Sequence, residues 1–254
     1  MTVLFTRDAR PRPVFSRQRG FTLLELLVVI AIVLLLSALV VPVMNSMSGT
    51  GNLGGRVFEV SGILERARAY AMANNSYVWV GFYEEDAGTT TPPSTLPPYS
   101  GKGQVVIATV ASTDGTQIFA DNAAPATLPP DRITLIDRIV KIQGVHLADL
   151  AAPSGGDSKT LNGRPAGPST DDESRISSDT ANKTDFPFVA RNYTFYKTIR
   201  FNPRGEASIN GKALKRTGEI GLRPTHGNSV DLNTPNVAAI QFTGIGGNVQ
   251  VYRP

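Results

Sequence analysis

The chain has 254 residues, no cysteine, and 25 basic against 21 acidic side chains, a formal charge of +4 at pH 7. Its length suffices for one hydrophobic core, and the lack of cysteine excludes a disulfide framework. Five of the arginines and one aspartate fall within the first 20 residues, so the basic excess belongs to that segment and gives the remainder no nucleic-acid footprint.

The first predicted element is a membrane-length helix. Arg7, Arg10, Arg12, Arg17 and Arg19 stand against Asp8 upstream, and an apolar run of 21 residues follows from Phe21 to Val41. At about 1.5 Å per residue such a helix covers roughly the 30 Å of a bilayer's hydrocarbon core. Sixteen of the 21 are Leu, Ile, Val or Phe. At roughly 0.3 to 0.6 kcal/mol each they favour insertion by about 5 to 10 kcal/mol, against about 3 for the carboxylate of Glu25. The downstream flank from Pro42 to Gly55 is uncharged, so the positive-inside rule places the N-terminus in the cytoplasm. A secretory signal peptide has a shorter apolar region and closes on a small-x-small site, which is not clear here. An ordinary uncleaved anchor fits the hydropathy as well but leaves Glu25 without a reason, and an intramembrane acid is a functional hypothesis by default.

The segment Arg19-Gly20-Phe21-Thr22-Leu23-Leu24-Glu25-Leu26-Leu27 resembles the signature of type IV pilins and type II secretion pseudopilins. The resemblance implies that residues 1–20 are a leader, that a prepilin peptidase cuts between Gly20 and Phe21, and that Phe21 is then N-methylated. Glu25 becomes the fifth residue of the mature chain, and Pro42 becomes residue 22, where many pilins also carry a proline that kinks the helix. The implied partners are the prepilin peptidase, the inner membrane, and other pilin subunits met through a helix over 21–48, with the globular domain in the periplasm. No cofactor and no nucleic acid are expected. The free α-amine of Phe21 would be a cation at membrane depth, which Glu25 of a neighbouring subunit can neutralise. Alternatively Glu25 snorkels to the headgroups or sits at its own helix N-terminus, where the macrodipole favours an anion. Removing the leader leaves 20 basic and 20 acidic residues, so the mature chain is formally neutral.

A glycine-rich bend is expected at 49–55, because each glycine weakens a helix by about 1 kcal/mol relative to alanine. From residue 56 the globular domain begins with an amphipathic helix to residue 75, carried by Val57, Val60, Leu64, Ala67 and Ala71, with Ile63 and Tyr70 beside them. Asn74-Asn75 supplies a stop, and the aromatic and β-branched run Tyr77 to Tyr83 predicts a strand. The junction from Leu64 to Asn75 is similar to the helix end of H-type minor pseudopilins. The segments Ile199 to Glu206, Ala239 to Phe242 and Val249 to Tyr252 resemble their strand-turn-strand and closing hairpin. The tail Val251-Tyr252-Arg253-Pro254 also resembles the pilin-like D protein of a Verrucomicrobia/Chthoniobacter cassette.

Residues 84–103 and 151–185 are rich in Pro, Gly, Ser, Thr and Asp and read as exposed, flexible loops. Strands are expected at Gln104 to Ala111 and Gln117 to Ala120, while Arg132 to Leu147 reads as helix or strand. Further strands near Tyr193 to Phe201, Ala207 to Ile209, Glu219 to Leu222, Val237 to Phe242 and Asn248 to Tyr252 are bounded by turn residues. The fold class is α+β, a pilin-like long N-terminal helix packed on an antiparallel sheet.

Catalytic readings are weak. The two histidines, His146 and His226, belong to no nucleophile motif or zinc spacing. Gly244-Ile245-Gly246-Gly247 reads as a hairpin turn rather than a dinucleotide loop. Asp171-Asp172-Glu173 lacks EF-hand spacing and reads as a solvated loop. The sequence thus points to a non-enzymatic filament subunit, with a DNA-binding minor pilin or a membrane-anchored periplasmic domain of unrelated function as alternatives.

Overall fold

The computed structural model describes residues 22–50, 53–89, 101–120, 123–124, 126–150, 161, 163–165, 174–178, 186–209 and 213–254, with side chains of the first helix described as far as Leu36. The chain divides into two units, Met1–Asn45 and Ser46–Pro254, the second starting upstream of the expected 56. Helix α1 runs Leu23–Thr50 and α2 runs Leu53–Ala73. Of the expected bend over 49–55, residues 49, 50 and 53–55 are helical, and residues 51 and 52 lie outside the described residues. A Cβ on Gly54 would lie 2.6 Å from Arg253 Nη1, the far end of a flexible side chain that can move aside.

In α2 the buried positions Leu53, Val57, Val60, Ile63, Leu64, Ala67 and Ala71 form one stripe at the three-and-four spacing of an amphipathic helix. Asn75 ends it with φ +48, a left-handed conformation that asparagine tolerates. Asn74 Nδ2 donates to Tyr70 O at 3.0 Å, and Ser76 N donates to Ala71 O at 3.0 Å. The orphan carbonyls of the last turn thereby gain donors.

The strands, in chain order, are β1 Val78–Asp86, β2 Gly103–Ser112, β3 Ile133–Leu135, β4 Val140–Gln143, β5 Val145–Ala148, β6 Arg175–Ile176, β7 Phe188–Ala190 and β8 Tyr193–Phe195. They continue with β9 Lys197–Phe201, β10 Ala207–Ile209, β11 Thr217–His226, β12 Ser229–Val230, β13 Ala238–Thr243 and β14 Val249–Tyr252. One sheet has the order β10-β9-β1-β2-β3, with β4 also on β2; the second has the order β12-β11-β13-β14, with β5 and β6 also on β11. Pairing is antiparallel except for β6, which lies parallel to β11. The ambiguous stretch 132–147 holds strands β3, β4 and most of β5 rather than an α-helix, with Arg132 closing a 3-10 turn, and the chain crosses from the first sheet to the second at Gly144, whose φ of +71 suits glycine. Gln117 to Ala120 is not a strand. It bends, with Ile118 at φ +69.

The fold is α+β, as expected, and α2 packs on both sheets. Val57, Leu64 and Ala71 share one core with Val80 and Phe82 of β1, Ile199 of β9, Ile220 of β11 and Ile240 of β13. The opposite face of the first sheet is also covered: Trp79, Tyr83, Val106 and Ala108 pack against Phe188, Tyr193 and Phe195 of the β7–β8 hairpin. Burial on both faces is why β2 has no polar alternation and is buried throughout. Gly81 lets that hairpin approach, since a Cβ there would lie 2.5 Å from Phe195 Cβ.

Two expected loops are partly ordered into this core. Glu84 and Glu85 are buried in β1, and Gly103 opens β2. Within 151–185, Leu161 is 4% exposed, and Arg175 and Ile176 form β6. Polar composition does not expose these segments, because their charged groups find buried partners described below.

Candidate functional site

The N-terminal signature occupies the start of α1. Thr22 is the N-cap: its Oγ1 accepts the backbone N–H of Glu25 at 3.2 Å, and its carbonyl accepts that of Leu26 at 3.2 Å. Glu25 stands in the first turn with its side chain exposed. Thr22-x-x-Glu25 is a capping-box spacing readable in the sequence, and hydropathy carries no trace of it. Gly20 and Phe21 lie outside the described residues. Pro42 lies inside α1, where its ring removes the donor for the carbonyl of Ala38.

Among the described residues, the apolar side chains of α1 are not buried. Twelve large ones between Leu23 and Leu36 are exposed, from 45% for Val28 to 83% for Leu23. At roughly 1.5 to 3 kcal/mol for each buried side chain, covering them is worth on the order of 20 kcal/mol. A helix apolar all round is made to be surrounded. Among the described residues no helix is long and apolar enough to cross a membrane; the expected span 21–41 extends past the described side chains at both ends.

Residues 15–41 match the prokaryotic N-terminal methylation motif. The methylation motif includes the Gly20-Phe21 junction, Glu25 and the apolar run, about a tenth of the chain. It gives the protein a type IV pilin-like N-terminus, and in general it goes with prepilin processing, N-methylation and a membrane-anchored precursor. No curated protein and no solved structure matches the chain.

Among its described residues the second unit holds buried polar clusters on Glu84, Glu85 and Glu219. His146 Nδ1 lies 2.8 Å from Glu84 Oε1, which also accepts Leu147 N–H at 2.8 Å. The carboxylate of Glu85 accepts from Lys141 Nζ at 2.8 Å, from Tyr193 Oη at 3.1 Å and from Gln104 Nε2. Burial pulls the Lys141 ammonium down, but Glu85 and Tyr193 outweigh it and the net shift is upward. Burial pushes the Tyr193 phenol up. In the third cluster Arg164 holds Glu219 bidentately, Nε to Oε2 at 2.9 Å and Nη2 to Oε1 at 2.6 Å, while Gln241 Nε2 donates to Glu219 Oε2 at 2.8 Å. At the surface, Ser112, Thr116 and Arg132 hydrogen-bond Asp114 and hold its carboxyl well below the usual range.

These clusters join strands and insertions to one another. His226, by contrast, is exposed at the end of β11. Gly244 to Gly247 form the turn between β13 and β14, with Gly247 N donating to Thr243 O at 2.7 Å. Asp171-Asp172-Glu173 lies outside the described residues, and among the described ones no group of three metal-capable side chains assembles. Two shallow depressions along α2, about 170 and 390 Å³, flank the Arg66–Asp137 ion pair of 3.3 Å. The hydrophobic run with its cap and carboxylate is therefore the candidate site.

Proposed function

We propose that this protein is a non-enzymatic structural subunit, a minor pilin or pseudopilin of a type II secretion or type IV pilus-like filament, closest in kind to H-type minor pseudopilins. The observation that carries the reading is the methylation motif at 15–41, joined to a helix whose apolar side chains the fold leaves exposed. A prepilin peptidase removes residues 1–20, Phe21 is methylated, and the helix passes from the inner membrane into the core of a periplasmic filament. There Glu25 neutralises the α-amine of an adjacent subunit's Phe21. Neutral mature charge weighs against a DNA-binding role.

Co-expression with a prepilin peptidase tests the processing, with the N-terminus read by mass spectrometry. Gly20→Ala should abolish leader loss, and unchanged processing would sink the filament reading. Glu25→Ala should be processed and inserted normally, since it removes a membrane cost of about 3 kcal/mol. It should nevertheless fail to enter filaments; normal incorporation would refute the pairing role.

A further inference from the structure

The outer side of α2 presents Glu59, Glu65 and Arg66 to solvent, together with Phe58, which is 66% exposed. Phe58 stands at the larger of the two depressions, about 390 Å³, with Glu59, Gly62 and Arg66 on its helix wall and Asp137, Arg138 and Val140 on its sheet wall. A Cβ on Gly62 would meet nothing within 4 Å, so the helix wall is open there.

Four charges line this depression, and two of them, Arg66 and Asp137, pair with each other at 3.3 Å. Glu59 and Arg138 are exposed, and among the described residues neither has an ion-pair partner. One acid on the helix wall and one base on the sheet wall make a surface complementary to itself. A two-fold axis lying in the contact plane, along the depression, sets each copy's helix wall against the other's sheet wall, so that Glu59 meets Arg138 twice. The same operation turns Phe58 of each copy toward the other's Val140 wall, and an aromatic side chain so covered buries about 150 to 250 Å². An anionic surface such as a lipid headgroup layer would suit Arg138 but repel Glu59.

We propose that this face of α2 is an isologous contact between two copies of the chain, centred on Phe58 and a reciprocal Glu59–Arg138 pair. It uses residues of the second unit alone and does not depend on leader removal. Exposed ion pairs contribute little, so the contact is weak in solution. Holding both copies in one membrane offsets this by raising their effective concentration.

The test uses the full-length chain in membranes, as two differently tagged copies, both carrying Gly20→Ala to keep them out of filaments. The chain has no cysteine, so introduced thiols report without background. Glu59→Cys in one copy and Arg138→Cys in the other should form an intermolecular disulfide on mild oxidation, about ten-fold more than either variant mixed with itself, because disulfide geometry is demanding. Glu59→Arg and Arg138→Glu, each present in both copies, should lower copurification of the tags about ten-fold, since like charges then face each other twice. A Glu59→Arg copy mixed with an Arg138→Glu copy should recover parental copurification, because both pairs are again of opposite sign; misfolding would not be rescued this way. Phe58→Ser, at an exposed position, should lower copurification as well. Cross-links as strong between like variants as between unlike ones would overturn the proposal. So would reversals that leave copurification unchanged, or a mixture of the two that stays apart. Leader loss is read on the same samples: its persistence in Gly20→Ala sinks the filament reading and leaves the contact standing or falling on the cross-link.

Discussion

Helices α1 and α2 are both rich in apolar residues, yet they dispose of them in opposite ways. Leu24 in α1 is 73% exposed, whereas Leu64 in α2 is fully buried. In α2 the apolar positions recur on one stripe, and two sheets cover that stripe. In α1 they surround the axis, so no single packed neighbour could cover them. A helix that is apolar on every side is suited to being surrounded, by lipid or by other helices. The region with the least internal packing is therefore the one that carries the functional signal, and the best-packed region carries almost none.

The largest expected effect sharpens that contrast within the second unit. Arg164 and Glu219 side chains are each 1% exposed, and Arg164 comes from a stretch whose composition reads as loop. Arg164→Leu strands a buried carboxylate with Gln241 as its remaining donor, a change expected to destabilise by about 3 to 5 kcal/mol. Denaturant unfolding of the full chain in detergent measures it. Replacing both residues with leucine should recover most of the loss, because the uncompensated charge is gone. A shift below about 1 kcal/mol in Arg164→Leu would mean that residues 161–165 behave as an ordinary surface loop.

The sequence made some of this fold legible and hid the rest for physical reasons. The stripe of α2, the Asn74-Asn75 stop and strands β1, β2, β10, β13 and β14 follow from periodicity and turn residues. The insertions read as loops because Glu84, Glu85, Arg164 and Arg175 look solvent-bound one at a time. Their burial depends on partners far along the chain: His146 for Glu84, Lys141 for Glu85 and Glu219 for Arg164. Such pairings have no local signature. The sheet change at Gly144 is equally silent, a single glycine between two short strands. At the candidate site the reverse holds. Gly20, Phe21 and Glu25 stand out by spacing and chemistry, and Thr22 by a capping signature that hydropathy alone passes over.

A smaller effect, confined to alkaline pH, tests whether the Glu85 cluster is as closed as its geometry indicates. Tyr193 is 4% exposed and Lys141 lies 5.3 Å from its ring centroid, and both groups titrate above their ordinary values, Tyr193 through burial and Lys141 through Glu85 and Tyr193 acting against its burial. For Lys141 the raised value means the charged form is favoured on folding; for Tyr193 it means the neutral form is. Both contributions are therefore fully present below the unfolded values near pH 10 and are lost as pH rises through the folded ones. The unfolding midpoint should stay level through neutral pH and fall above about pH 10. The double variant Lys141→Met, Tyr193→Phe should start from a lower plateau, since among the described residues Glu85 keeps only Gln104 as a partner, and then fall less steeply. Parallel alkaline limbs in the two proteins would mean that neither group is held differently in the folded chain than in the unfolded one. The cluster would then be a solvated surface feature, and the second unit would share some of the incompleteness that marks α1.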